Sequence, residues 1–238
     1  MFNYETIIQL MAISIFLISA TVFYIMLFVL ICKTCKLHSR KKTSRFVTQN
    51  RCEAPLSKGK RGEYEVAKKL ESLGGEYYVI NDVMLDTSTK TSQIDHIVIS
   101  PYGIFVIETK NFSGTLCGSA YDNYISHLCN GKKYMIYNPL KQNLSHVRTL
   151  MQVLETDNKE LFIPILTVAD DCICDIEAKT DIVPFSAIRN SILQHSRELL
   201  TVQEVREIAQ RIFNMNIVNE EERLHHIERV RLMNECPF

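Results

Sequence analysis

At 238 residues the chain is long enough for one sizeable domain with appendages. Basic and acidic residues both number 27, but residues 33–61 carry ten Lys/Arg against Glu53 alone, and residues 62–238 carry 17 against 25. A net of +9 on the first stretch and −8 on the second excludes a uniformly basic, DNA-coating domain; attraction to nucleic acid must come from a local patch, a cation or the basic neck. The eight cysteines keep no framework spacing, and Cys32-x-x-Cys35 has no second such pair. That argues against a disulfide scaffold or zinc ribbon and fits a reducing compartment.

Residues 7–32 hold no charged side chain, and from Leu10 to Ile31 nearly every residue is apolar. Twenty-odd helical residues cross a hydrocarbon core of about 30 Å. No Lys or Arg precedes the run, as one would in a signal peptide. Lys33, Lys36, Arg40, Lys41, Lys42 and Arg45 follow it, so positive-inside bias predicts a single-pass transmembrane anchor over residues 1–32, with the N-terminus outside and the rest cytoplasmic. Residues 33–58 read as a basic juxtamembrane linker, and residues 33–45 are expected to meet anionic lipid headgroups.

Gly59-Lys-Arg-Gly62 opens a predicted helix to about Leu73, ended by Gly74-Gly75. Its apolar positions are Val66, Ala67, Leu70 and Leu73, and Glu63 projects from the same side. Tyr77–Leu85 is the first strand. Two β-branched runs then flank Ser100-Pro101-Tyr102-Gly103: Ile94–Ile99 and Ile104–Ile107. This composition predicts a hairpin, and since neither run alternates with polar residues, both its faces should be covered. Asp95, Glu108 and Lys110 interrupt it, and Glu108 and Lys110, two apart, leave one face. Burying such charges is costly unless they are paired or metal-bound.

Two registers remain open. A two-residue loop at Pro101-Tyr102 sets Asp95 opposite Glu108, near enough to share one cation. A type I turn with a glycine bulge shifts the pairing by one and would require a second bulge near Asp95.

Gly114–Gly118 and Lys132–Ile136 are predicted short strands. Asn138-Pro139 starts a helix to about Leu154 with a spine of Leu140, Leu144, Val147, Met151 and Leu154, which puts Gln142 and His146 on the opposite, solvated face. Phe162–Val168 reads as a buried strand and Asp170–Asp175 as a surface loop. Ser186–Leu200 and Thr201–Met215 read as helices, the second with a capping box in Thr201 and Glu204. Residues 216–238 hold a charged terminal helix over Glu220–Asn234.

A helix bearing Glu63, a strand opening on Asp95 and a Glu108-Thr109-Lys110 triplet on the next strand resemble the ordered constellation of PD-(D/E)xK nucleases. More narrowly, residues 59–155 resemble the nuclease-related domain, NERD. The matching pieces are Gly62-Glu63, Gln93–Ser100, Gly103–Asn111, Gly114-x-x-x-Gly118, Asn138-Pro139, Gln142 and His146. One departure is a missing tryptophan between Gly118 and Asn138, where Tyr124 stands in.

The resemblance implies an α/β domain over residues 59–215, a mixed central β-sheet flanked by helices with a restriction-endonuclease-like core. It implies hydrolysis of nucleic-acid phosphodiesters, DNA or RNA, with Mg²⁺ or Mn²⁺. Asp95 and Glu108 would be metal ligands and Glu63 an outer or second one, which suits a hard cation that takes one or two carboxylates. Lys110 would act on water or transition-state charge, Gln142 would orient substrate or water, and His146 completes the set. A reading from another class is a non-catalytic module of the same fold, binding nucleic acid or a protein at the membrane.

Overall fold

A computed structural model describes residues 57–87, 91–217 and 219. The expected membrane anchor, nearly all of the basic linker and the charged terminal helix lie outside these residues. Among the described residues, no helix is long and apolar enough to cross a membrane.

Helix α1 spans Lys58–Glu71, its first turn capped by the Ser57 hydroxyl, which accepts from the Lys60 N–H. Three antiparallel strands follow: β1 (Tyr78–Asp86), β2 (Thr91–Ser100) and β3 (Gly103–Lys110). A smaller group comes next: β4 (Gly114–Ser119), β5 (Tyr124–Cys129) and β6 (Lys132–Tyr137). Helix α2 (Pro139–Val153) then returns the chain to β7 (Phe162–Val168), which lies parallel to β3. Such a return needs a crossover, and α2 supplies it. Strands β8 (Cys172–Glu177) and β9 (Asp181–Pro184) precede α3 (Ile188–Leu193) and α4 (Val202–Met215). The result is a five-stranded mixed sheet, β1-β2-β3-β7-β9, and a four-stranded one, β6-β5-β4-β8. The fold is α/β, with mixed sheets flanked by helices.

Strands β2 and β3 are interior, as their continuous apolar runs require. One face of the main sheet packs Ile97, Ile99, Ile104 and Val106 against Val147 and Leu150 of α2 and Val205 and Ile212 of α4. The other packs Val98, Phe105 and Ile107 against Val66 and Leu70 of α1 and Ile188 and Ile192 of α3. With both faces apolar, the hydrophobic pattern cannot fix the hairpin register. The turn does. Ser100 pairs with Gly103 across a two-residue loop, and Gly103 sits at φ +131°, where a side chain is strained and a Cβ would meet Ile163 at 2.9 Å.

Three expectations are corrected. The Asp170–Asp175 loop is largely strand β8, paired in parallel with β4. The helix over Ser186–Leu200 shrinks to Ile188–Leu193, because the Leu199 and Leu200 N–H groups leave helical bonding and donate to the Pro101 carbonyl at the hairpin turn. On α2, Leu144 is exposed, and the buried side runs through Leu140, Asn143, His146, Val147 and Leu150. Asn143 is on that side because its amide donates to two carbonyls, Val106 (2.9 Å) and Ile165 (3.0 Å), on the neighbouring strands β3 and β7.

Candidate active site

The pairing of β2 with β3 runs from Ser100–Gly103 to His96–Ile107 and stops one residue short of Asp95 and Glu108. There the Thr109 N–H donates to the Asp95 carboxylate (2.8 Å), so a side chain takes the place of a strand carbonyl. On β2, Ile94 and Ile97 enter the same core cluster although they are three residues apart, and on β1 so do Ile80 and Val83. In a regular strand such positions face opposite ways. Both strands therefore switch faces at one place, between the Asn81–His96 and Val83–Ile94 pairs. Asp82 and Asp95 face each other within that switch, and Asp82 adopts φ +53°. Of the two registers the sequence left open, the structure takes the two-residue loop; the irregularity beside Asp95 is a face switch shared by β1 and β2 with their pairing unshifted, not a bulge.

Glu108 is 1% exposed, on the α2 face of β3. Its Oε1 meets Lys110 Nζ at 2.6 Å, and its Oε2 accepts from His146 Nε2 at 3.2 Å. The other imidazole nitrogen, Nδ1, accepts from the Ser92 hydroxyl (2.8 Å) in the neutral ring. Lys110 Nζ also donates to Gln142 Oε1 (3.1 Å). One turn of α2 thus presents Gln142 to the lysine and His146 to the glutamate, which is what i, i+4 spacing provides.

The three charged groups titrate differently. Burial raises the Glu108 carboxyl, but Lys110 and His146 more than offset it and leave it below the usual range. Burial likewise opposes charge on Lys110, yet Glu108 above all, then Asp95, holds its pKa above the ordinary value. Asp95 goes the other way. Burial first, then the Glu108 charge, push it well above the usual carboxylate range; Glu63 adds to this, and the Thr109 N–H and Lys110 only partly oppose it.

The profile of the nuclease-related domain family matches residues 58–169. An uncharacterised protein of Bacillus anthracis is 30% identical over 183 residues, covering 73% of this chain and 84% of its own length. The chain belongs to the nuclease-related domain family. No solved structure matches it.

The stretch matched to the nuclease-related domain runs from α1 to just past β7, and it contains every site residue expected from the sequence. Glu108, Lys110, Gln142 and His146 join in one hydrogen-bonded chain. Asp95 adjoins it through electrostatic coupling to Glu108 and Lys110. Glu63, on α1, pairs with Lys60 (2.7 Å) and reaches Asp95 through its field. Its helix comes close because Gly62 lies against Asn111, just past Lys110, where an added Cβ would be 2.7 Å from the Asn111 Cβ.

Sequence reasoning passed over several members of this nuclease-related domain's site. Lys60 senses Glu63, Asp82 and Asp95, which together outweigh its burial and raise its pKa. His96 is buried and held neutral, its pKa lowered by burial to about 4, with Nδ1 bonded to Asn81 (2.8 Å). Ser92 orients His146. The available signal was position: Ser92 and His96 flank the Asp95 motif, and Lys60 lies one helical turn before Glu63.

The oxygen donors suit a hard divalent cation. Asp95 is a buried carboxyl between two like charges, and a cation there would relieve them. Among the described residues, no group of three or more His, Cys, Asp or Glu side chains stands ready to hold a metal ion. Two carboxylates suffice for Mg²⁺, which ordinarily completes its shell with water and substrate phosphate.

Proposed function

We propose that this domain hydrolyses nucleic-acid phosphodiester bonds with Mg²⁺ or Mn²⁺, on a restriction-endonuclease-like core over residues 59–215. The chain would be anchored by residues 7–32, with residues 33–45 on anionic headgroups, the N-terminus outside and the domain in the cytoplasm. One observation carries the catalytic part: a buried Asp95, raised by Glu108, adjoins a Glu108–Lys110 pair on the next strand. Asp95 and Glu108 would hold the cation, with Glu63 at its periphery. A bound divalent ion lowers the pKa of its water and offsets charge on the phosphate.

The rest is the work of the chain's own residues. Lys110, held by Glu108 (2.6 Å) and Gln142 (3.1 Å), would present its ammonium to developing phosphate oxyanions. Gln142 fixes the ammonium's position, and His146, oriented by Ser92, fixes the Glu108 carboxylate.

A second reading has its own support. Both Glu108 oxygens already have partners, an arrangement that is satisfied without any ion and suits a non-catalytic binding module. Incubating the full chain with labelled single- and double-stranded DNA and RNA, in Mg²⁺, Mn²⁺ or EDTA, separates the two. Cleavage should require the metal and vanish in Asp95→Asn and Lys110→Ala. Binding without turnover in either metal would leave the module reading.

A further inference from the structure

We propose that Tyr134, backed by the stacked rings of Phe112 and His127, forms a stacking platform that receives the bases of an unpaired nucleic-acid strand entering the site. This names the substrate class and rests on the nuclease reading above. Phe112 leaves β3 two residues after Lys110. Its ring stacks on His127 of β5, with centroids 4.7 Å apart and planes 28° apart. His127 is paired across the β5–β6 ladder with Tyr134, whose ring centroid lies 6.2 Å from the imidazole. The row therefore starts beside the lysine that would meet phosphate and ends on a tyrosine 48% exposed.

Two details distinguish this row from ordinary packing. The His127 Nε2–H donates to the Ser113 carbonyl (2.8 Å), which locks the imidazole plane onto the segment leaving the site. Phe112 packs against the core of the second sheet, but Tyr134 stands on the sheet's edge strand and keeps half its surface in water. Met135 and Tyr137 on the same strand are as exposed; Tyr134 differs from them in continuing the Phe112–His127 row. Cations flank both ends: Lys58 Nζ donates to the Ser113 hydroxyl (2.8 Å), and Lys132, two residues before Tyr134 on β6, leaves the same face. In a domain that is acidic overall, an aromatic row between lysines is the pattern that holds a single strand, by base stacking and backbone attraction. A duplex keeps its base faces stacked on each other and offers none to Tyr134.

The test uses the full chain in mild detergent and EDTA, so that binding is read without turnover. The probes are a single-stranded oligodeoxynucleotide carrying 2-aminopurine and the same sequence as a blunt duplex. Wild type should quench the single strand's 2-aminopurine fluorescence on binding. Tyr134→Ala and Tyr134→Leu should each weaken single-strand binding about tenfold and lose the quench, the scale of one base–aromatic stack. Tyr134→Phe should stay within about twofold, duplex binding should not change, and melting temperatures should match. Single-strand binding in Tyr134→Ala equal to wild type overturns the platform, as does a duplex that loses affinity equally. If wild type binds single strands in this Tyr134-dependent way yet cleaves nothing in Mg²⁺, hydrolysis fails and the platform stands. If it cleaves in Mg²⁺ while Tyr134→Ala binds as wild type, only the platform falls.

Discussion

Glu108→Ala and Asp95→Asn should move stability in opposite directions in metal-free buffer, although both remove a carboxylate from one site. Glu108 is paired on both oxygens, so its loss strands a largely buried ammonium at Lys110 and an unpaired imidazole N–H at His146. Breaking a buried pair this way costs about 3–5 kcal/mol. Lys110 keeps 22% of its side chain exposed, which places the loss near the lower figure, about 3 kcal/mol. For a domain of this size that is a fall of roughly 6–12 °C in Tm. Among the described residues Asp95 forms no ion pair within 4 Å, and Lys110 offsets its charge only in part. Its charge is opposed by Glu108 and Glu63 and stabilised chiefly by one N–H, so Asp95→Asn should raise Tm by a few degrees at neutral pH.

The sign with pH follows. The folded state holds the Asp95 proton to higher pH than the unfolded chain does, so wild-type stability from this group is lost as pH rises from about 4 through the raised pKa. The gap between Asp95→Asn and wild type should therefore be small near pH 4 and widen toward neutrality. Thermal unfolding followed by circular dichroism across pH 4–8 in EDTA reads all of this. Equal Tm losses in the two variants, or a gap that closes with rising pH, would refute the assignment of Asp95 as the uncompensated carboxylate. Treating the two carboxylates alike, as the sequence invites, predicts unchanged or higher stability for both; the pairing of Glu108 is what separates them.

Two further outcomes are expected. Gly62→Ala should lower Tm, because forcing the Asn111 Cβ off a 2.7 Å contact costs about 1–3 kcal/mol and outweighs the roughly 1 kcal/mol that Ala gains over Gly in a helix. A Tm increase would mean that α1 is free to shift, whereas adding Asn111→Gly should restore much of the loss. For topology, protease added outside sealed right-side-out cells should leave the domain over residues 59–215 intact on immunoblots, and its digestion would reverse the orientation read from the lysines and arginines after residue 32.

The hairpin, α1 with Glu63, β7 and the capping box of α4 were legible, because each rests on a local signal: apolar runs, a glycine stop, Thr201 with Glu204. The capping box forms as written, Thr201 and Glu204 bonding each other's backbone. The site's second layer was not legible. On α2 the apolar spacing pointed to Leu144 and away from His146, which is only 6% exposed. Hydrophobic periodicity assumes that a polar side chain seeks water, and it fails where one is buried with a fixed partner, as His146 is with Glu108 and Asn143 with two carbonyls. Strand β5 was missed although a signal existed. Asn130-Gly131, both at positive φ, makes the two-residue turn that joins Cys129 to Lys132.

The face switch at Asp82 and Asp95 shows why a site residue of this kind resists sequence reading. Counting by twos from Ile97 puts Asp95 on one face of the sheet, and counting by twos from Ile94 leaves it on the other. No periodicity resolves this, because the strand itself changes phase there. A left-handed residue other than glycine costs about 1–2 kcal/mol. At Asp82 that cost is offset by the Gln93 amide, which donates to its carboxylate at 2.6 Å, a charge-assisted bond worth about 1.5–3 kcal/mol. Across the same switch the Asp95 carboxylate occupies the Thr109 N–H that a continuing ladder would have used. The polar side chains that make the site are thus the groups that hold the irregular backbone. Replacing Asp95 by an apolar residue would free Thr109 to pair with a strand carbonyl and draw β2 toward a regular ladder, moving Ser92 away from His146. The chemistry at Asp95 and the break in the sheet are, on this geometry, one feature.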